Sequence, residues 1–192
     1  MHVKPEMRIL GVDDSPLVAQ DILVVGAVMR GGGWLDGLLS THVARDGTDA
    51  TERIAAMIAG GGPPGQVRVV MLNGVTFAGF NVVDIEALHA LTGLPVIAVM
   101  RRQPDMASIR RALDHLSEPQ WRYEAILRAG PVAEVQTRWR GGPVYYQCKG
   151  MEKEDAARLI VGTAIHSRLP EPVRVAHIIA TGVVLGRSRK RA

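Results

Sequence analysis

Four acids and one amide stand at the ends of apolar segments, where a folded chain could gather them. Asp13 and Asp14 close the run Arg8-Ile9-Leu10-Gly11-Val12, Asn73 follows Val67 to Leu72, and Asp46 and Asp49 follow Trp34 to Arg45. Oxygen ligands of this kind suit a hard divalent cation, Mg²⁺ or Mn²⁺. Two such ions about 3.5–4 Å apart activate a water and stabilise the leaving oxygen of a phosphodiester. Consecutive strand residues point to opposite faces, so Asp13 is the expected ligand, and Asp14 caps the next turn or serves as an alternate. An acid ending a buried strand is costly unless something pairs with it. Asp46-Gly47 could equally be a plain turn, and Asp49 a helix N-cap.

A second group surrounds these acids. The segment Gly74-Val75-Thr76-Phe77-Ala78-Gly79-Phe80-Asn81 bears glycines and aromatics between a strand and a helix. Gly74, Thr76, Phe77, Gly79, Phe80 and Asn81 are candidate substrate contacts, with Phe77 and Phe80 walling a base pocket. The structural alternative is that both rings pack beneath the sheet edge. Arg174 and His177 lie three apart on the last helix and share a face. His177 could bind metal, position a water or contact phosphate; a hydrogen-bonded, half-buried histidine is the ordinary alternative. Nothing in the chain matches a P-loop, a dinucleotide fingerprint or His-Glu-x-x-His.

These residues need elements to hold them. Short apolar runs predict strands over Arg8–Asp14, Asp21–Met29, Trp34–Arg45, Val67–Leu72 and Pro95–Met100. Asp49 with Glu52 predicts a capped helix with the stripe Ile54, Met57 and Ile58, ended at Gly60–Gly65. Asn81 and Asp84 open a second, with the stripe Val82, Ile85, Leu88 and Leu91 and an end at Gly93. Helices are also expected over Asp105–Leu116, Pro119–Arg128, Glu152–His166 and Pro172–Leu185. Ala133–Trp139 and Val144–Cys148 predict an extra hairpin. A hairpin of strands followed by helix-linked parallel strands favours one mixed five-stranded sheet, order 3-2-1-4-5, with helices on both faces. Strands one and four are then central, and their carboxyl ends make the site.

Composition narrows the class. The chain has 192 residues, 47% hydrophobic and 22% charged, which predicts a single α/β domain over 1–192 and excludes disorder and coiled coil. The lone Cys148 excludes a disulfide framework and a cysteine zinc site. No uncharged apolar stretch is long enough to span a membrane and no signal peptide is evident, so a cytoplasmic location is expected. The net charge of +4, with Arg101-Arg102, Arg110-Arg111 and a basic tail over 187–192, permits a nucleic-acid partner. The tail is either a mobile terminus or a phosphate-contacting arm.

The strings Gly11-Val12-Asp13-Asp14-Ser15-Pro16, Trp34-Leu35-Asp36-Gly37, Asp46-Gly47-Thr48-Asp49-Ala50-Thr51, Gly74 to Asn81, and Pro170 to His177 together resemble the mostly archaeal endonuclease dU family. That family is similar, more distantly, to endonuclease V, which has a ribonuclease H-like fold and cuts near deaminated bases with Mg²⁺ held by acids. The resemblance implies a ribonuclease H-like sheet and a metal-dependent endonuclease acting on uracil-containing nucleic acid, DNA more than RNA. It carries the first-strand Asp onto Asp13 and the helix-leading Glu near Asp49, with Asp46 close by. The fourth-strand Asp falls on Asn73, an amide without charge, and His177 stands where endonuclease V tends to carry an Asp. Asp13, Asp49, Asn73 and His177 are thus the implied catalytic set, and Asp13, Asp46 and Asp49 the metal set. A non-catalytic nucleic-acid or nucleotide binder on the same fold is the rival, with a one-metal small-molecule hydrolase behind it. Oligomeric state stays open, a dimer included.

Overall fold

The computed structural model describes residues 4, 6–61 and 67–188. The expected basic tail lies outside the described residues beyond 188, as does most of the Gly-Pro stop after the first helix. In chain order the elements are β1 (Arg8–Asp14), β2 (Asp21–Arg30), β3 (Trp34–Ala44), α1 (Ala50–Gly60), β4 (Val69–Asn73), β5 (Thr76–Phe77), β6 (Asn81–Val82) and α2 (Ile85–Thr92). They continue with β7 (Val96–Met100), α3 (Met106–Leu113), α4 (Pro119–Arg128), β8 (Ala133–Val135), β9 (Val144–Lys149), α5 (Lys153–Thr163) and α6 (Glu171–Leu185). No helix among the described residues is long and apolar enough to cross a membrane.

The main sheet runs β3-β2-β1-β4-β7-β9-β8. Its first five strands reproduce the expected mixed order, with β1 parallel to β4 and β4 parallel to β7. The expected extra hairpin is no appendage. β9 pairs antiparallel with β7, with Ile97 opposite Cys148, so the sheet has seven strands. The exposed edge of a parallel strand has unpaired amides and carbonyls, and β9 satisfies them.

Alternation divides the core into two layers. Leu10, Val12, Val70, Leu72 and Ala98 face α1, α2 and α4, with Ile54, Leu88 and Ile126 packed on them. Ile9, Val69, Met71, Ile97 and Val99 face the other side, against Leu159 and Ile160 of α5 and Val173 of α6. β1 is buried on both faces along its middle, which is why it reads as an unbroken apolar run.

Three local expectations change. Asn81 does not open α2; with Val82 it forms β6, paired to Thr76 and Phe77. Asp84 is the N-cap, accepting from the amides of Glu86 and Ala87. Leu91, expected in the buried stripe, is 61% exposed, because steps of three residues from Ile85 and Leu88 fall short of a full helical turn and carry it off the buried face. The strand expected over Ala133–Trp139 stops at Val135.

Candidate active site

The carboxyl ends of β1 and β4 lie side by side, and α6 crosses over them. The crossing depends on Gly11. A Cβ there would stand 2.0 Å from the carbonyl carbon of Pro172, at the start of α6. Backbone cannot yield by that much, so the missing side chain lets α6 press onto β1. Gly11 and Asp13 share a strand face, and the same helix therefore brings His177 over Asp13.

Asp13 is only 3% exposed. Its Oδ2 accepts from Asn73 Nδ2 at 3.0 Å and lies 2.8 Å from His177 Nδ1. Its Oδ1 accepts from the Asp14 amide at 3.0 Å. A carboxylate only accepts, so Nδ1 of His177 carries the proton and Nε2 is left for the site. The hydrogen bond to Asp13 raises the His177 pKa above its ordinary value, against the opposing effect of burial.

Asp14 lies on the other side of the strand, where its Oδ2 accepts from the Ala78 amide at 2.6 Å. Burial first, then the neighbouring charge of Asp13, push its carboxyl up to about 6. Two carboxylates held this close resist joint ionisation, a condition that a bound cation relieves. Glu171, at the N-terminus of α6, is buried as well. Burial alone would raise its pKa, but bidentate bonds from Arg174 at 2.8 and 2.7 Å, with the His166 amide, hold it low. Arg174, a candidate substrate contact, is thus committed to Glu171.

The expected convergence of Asp13 with Asp46 and Asp49 is not what the fold builds. Among the described residues no group of three His, Cys, Asp or Glu side chains is placed to hold a metal ion. Asp46 accepts from the Phe80 amide at 2.9 Å, in space left open by the absent Cβ of Gly79. Asp49 accepts from the Ala44 amide at 3.1 Å and from Asn81 Nδ2 at 2.7 Å. It holds the N-cap position of α1 without a capping bond; Asn81 Oδ1 takes the Ala50 amide instead. Asn81 thus serves as a structural bracket. Arg45 and Arg53 stand 3.8 and 3.5 Å from these two acids.

Arg122 was not singled out in the sequence, and Arg101 stood there only as half of a basic pair. Arg122 of α4 is fully buried and donates to the carbonyls of Asp46, Gly47, Phe80 and Ser117. It ties the loop before α1 to the loop before α2. Its signal was available: Arg122, Ala125, Ile126 and Ala129 recur at helical spacing on the buried face. Arg101, just past β7, interacts electrostatically with Asp13 and His177. The rule that placed Asp13 at the carboxyl edge would have placed Arg101 there too.

Beside Asn73 opens a cleft of about 470 Å³, lined by Gly74, Val75, Thr76, Met100, Met106 and Ile109 among others. It corrects the aromatic pocket. Phe77 is 1% exposed within the core and cannot stack on a base, and Phe80 packs half-buried against that core. Gly74 and Thr76 do line the cleft; Gly79 makes room for Asp46.

Comparison with known proteins fits this geometry. A UPF0215 protein of Methanosarcina acetivorans is 50% identical over 191 residues, covering 100% of this chain and 97% of its own. A solved protein of unknown function from Archaeoglobus fulgidus is 34% identical, with a TM-score of 0.83 over 93% of this chain and 98% of its own. The fold is also that of endonuclease V from Ciona intestinalis, solved with an inosine-containing 24mer DNA. The TM-score is 0.57 at 14% identity, over 88% of this chain and 82% of that one. The profile described as endonuclease dU matches residues 5–184, the span that runs from the start of β1 to the end of α6, and the chain belongs to the endonuclease dU family.

Proposed function

We propose that this chain is a metal-dependent endonuclease that hydrolyses a phosphodiester in deaminated, uracil-containing nucleic acid, DNA in preference to RNA. The observation that carries it is the buried Asp13, hydrogen-bonded to Asn73 and His177 from two other elements, beside an Asp14 whose pKa is pushed up to about 6. The family's description as endonuclease dU and the endonuclease V fold support the reaction class.

The donor set fits a hard cation: two adjacent carboxylates short of positive charge, with an amide oxygen available if Asn73 turns. Asp13 would hold Mg²⁺ or Mn²⁺, with Asp14 an alternate that would have to leave the Ala78 amide, and the ion when bound would supply an activated water and stabilise charge on the phosphate. Asp49 has its Oδ2 near Arg53, which would have to swing away before that oxygen could contribute. Asp13 fixes His177 through Nδ1, so that Nε2 is aimed for proton transfer at the phosphodiester. The hydrogen bond to Asp13 raises the His177 pKa and so favours the protonated ring. The cleft beside Gly74 receives the extruded base and shields it from water.

A labelled uracil-containing oligonucleotide with Mg²⁺ tests the reading. Cleavage by the wild type and none by Asp13→Asn is the expected outcome; equal cleavage by both refutes it. One observation favours a second reading, a binder without chemistry. Asn73 donates to Asp13 at a position where the resemblance to endonuclease V implies an acid. Binding of the same oligonucleotide without cleavage would select that reading.

A further inference from the structure

Seven of the described arginines sit on an acid, and most of the others are solvent-exposed. Arg30 bonds Asp36, Arg128 bonds Asp84 and Arg174 bonds Glu171. Arg101 and Arg168 differ. Neither has an ion pair among the described residues, although both are half-buried. Arg101 donates to no protein acceptor there. Arg168 donates to the carbonyls of Arg101 and Gly141, which draws the segment before α6 against the end of β7. Arg138 adds a bond to the Ile165 carbonyl, and Trp139 one to that of Ala164, so the arrangement is fastened from both sides.

Two guanidinium groups held near each other repel, and partial burial strengthens the repulsion. Burial and then Arg168 hold the Arg101 pKa below its ordinary value, while Asp13 opposes them. A fold that keeps this pair without a direct ion pair to a carboxylate leaves a place for an external anion. Guanidinium forks match phosphate oxygens.

The geometry points to a phosphate-binding pincer formed by Arg101 and Arg168 beside Asp13, seating the backbone of the nucleic-acid strand whose base enters the cleft. This rests on the nucleic-acid reading above. Arg101 interacts with Asp13 and His177, whereas its neighbours Met100 and Arg102 line the cleft. The end of β7 therefore separates a phosphate side from a base side. A strand laid across it places a phosphodiester at the Asp13 corner and the attached base in the apolar space.

The test is fluorescence anisotropy of a short single-stranded DNA oligonucleotide, with or without uracil, in EDTA across a salt series. Arg101→Gln and Arg168→Gln should each weaken binding about five- to tenfold. Each should flatten the slope of log K against log salt by about 0.7. The loss should be the same with and without uracil, since phosphate contacts carry no base information. Arg101→Lys should recover the slope, and Arg30→Gln, whose arginine is already paired, should match the wild type. Arg101→Gln decides the matter, because its guanidinium holds no other part of the fold. Affinity and slope unchanged in that variant, or no binding by the wild type, overturns the pincer. If the pincer fails while the wild type still cleaves and Asp13→Asn does not, the nuclease reading survives alone. Weaker binding by Arg101→Gln in a protein that never cleaves leaves the pincer standing and the nuclease reading refuted.

Discussion

Two acidic corners lie close in sequence order to neighbouring sheet ends, and the fold balances their charge in opposite ways. At the start of α1, Asp46 and Asp49 each have an arginine within 4 Å, and backbone amides or Asn81 occupy an oxygen of each. At the end of β1, Asp13 contacts His177 and feels Arg101 at longer range, and neither Asp13 nor Asp14 has an arginine or lysine ion pair among the described residues. The first corner is a solved structural problem. The second keeps an electrostatic cost that only something from outside the chain offsets, which is how functional sites differ from structural ion pairs.

The comparison is broken most sharply by rate. Asp13→Asn should cost about 10²–10⁴-fold in cleavage of a uracil-containing strand, whereas Asp49→Ala should stay within about threefold, as single-turnover assays would read. Gly11→Ala comes next and acts on one corner only. Its methyl meets the Pro172 backbone, so we expect about 3 kcal/mol of lost stability in denaturant unfolding, with His177 displaced from Asp13 in the surviving fold. Asp49→Ala strips acceptors from the Ala44 amide and Asn81, and should cost about 1–3 kcal/mol by the same measurement.

The smallest effect has the opposite sign. The folded pKa of Asp14, about 6, lies above its unfolded value of 3.8. Its stabilising contribution is complete below 3.8 and is lost as pH rises through about 6. His177, also raised, loses its contribution on passing its own folded pKa above 6.5, so both signs agree. The contribution of this corner to metal-free stability should therefore fall from pH 4 to pH 8. Asp14→Asn should exceed the wild type by about 1–2 kcal/mol at pH 8 and converge with it at pH 4. Identical pH profiles for the two proteins would remove the distinction between the corners.

The corner at the end of β1 was legible in sequence because its information is local and periodic. An apolar run ending in acid, and a helix stripe ending at a glycine, give β1, β4 and α6 their places. Asp13 and His177 followed from those placements and from the family resemblance. What remained hidden depends on partners far along the chain. β9 joining β7 is a pairing choice that alternation alone does not make. The commitment of Asp49 to Asn81 depends on β6, a two-residue strand too short to show a period. Phe77 was misplaced because an aromatic in a loop says nothing of which side of the sheet edge it enters. Gly11 carried a signal, a glycine inside a strand, whose meaning emerges only once Pro172 is against it.

The most direct measurement is a calorimetric Mn²⁺ titration of wild type, Asp13→Asn and Asp49→Ala. Binding should persist in the wild type and in Asp49→Ala and vanish in Asp13→Asn. Retention by Asp13→Asn with loss in Asp49→Ala would contradict the assignment of the site to the end of β1.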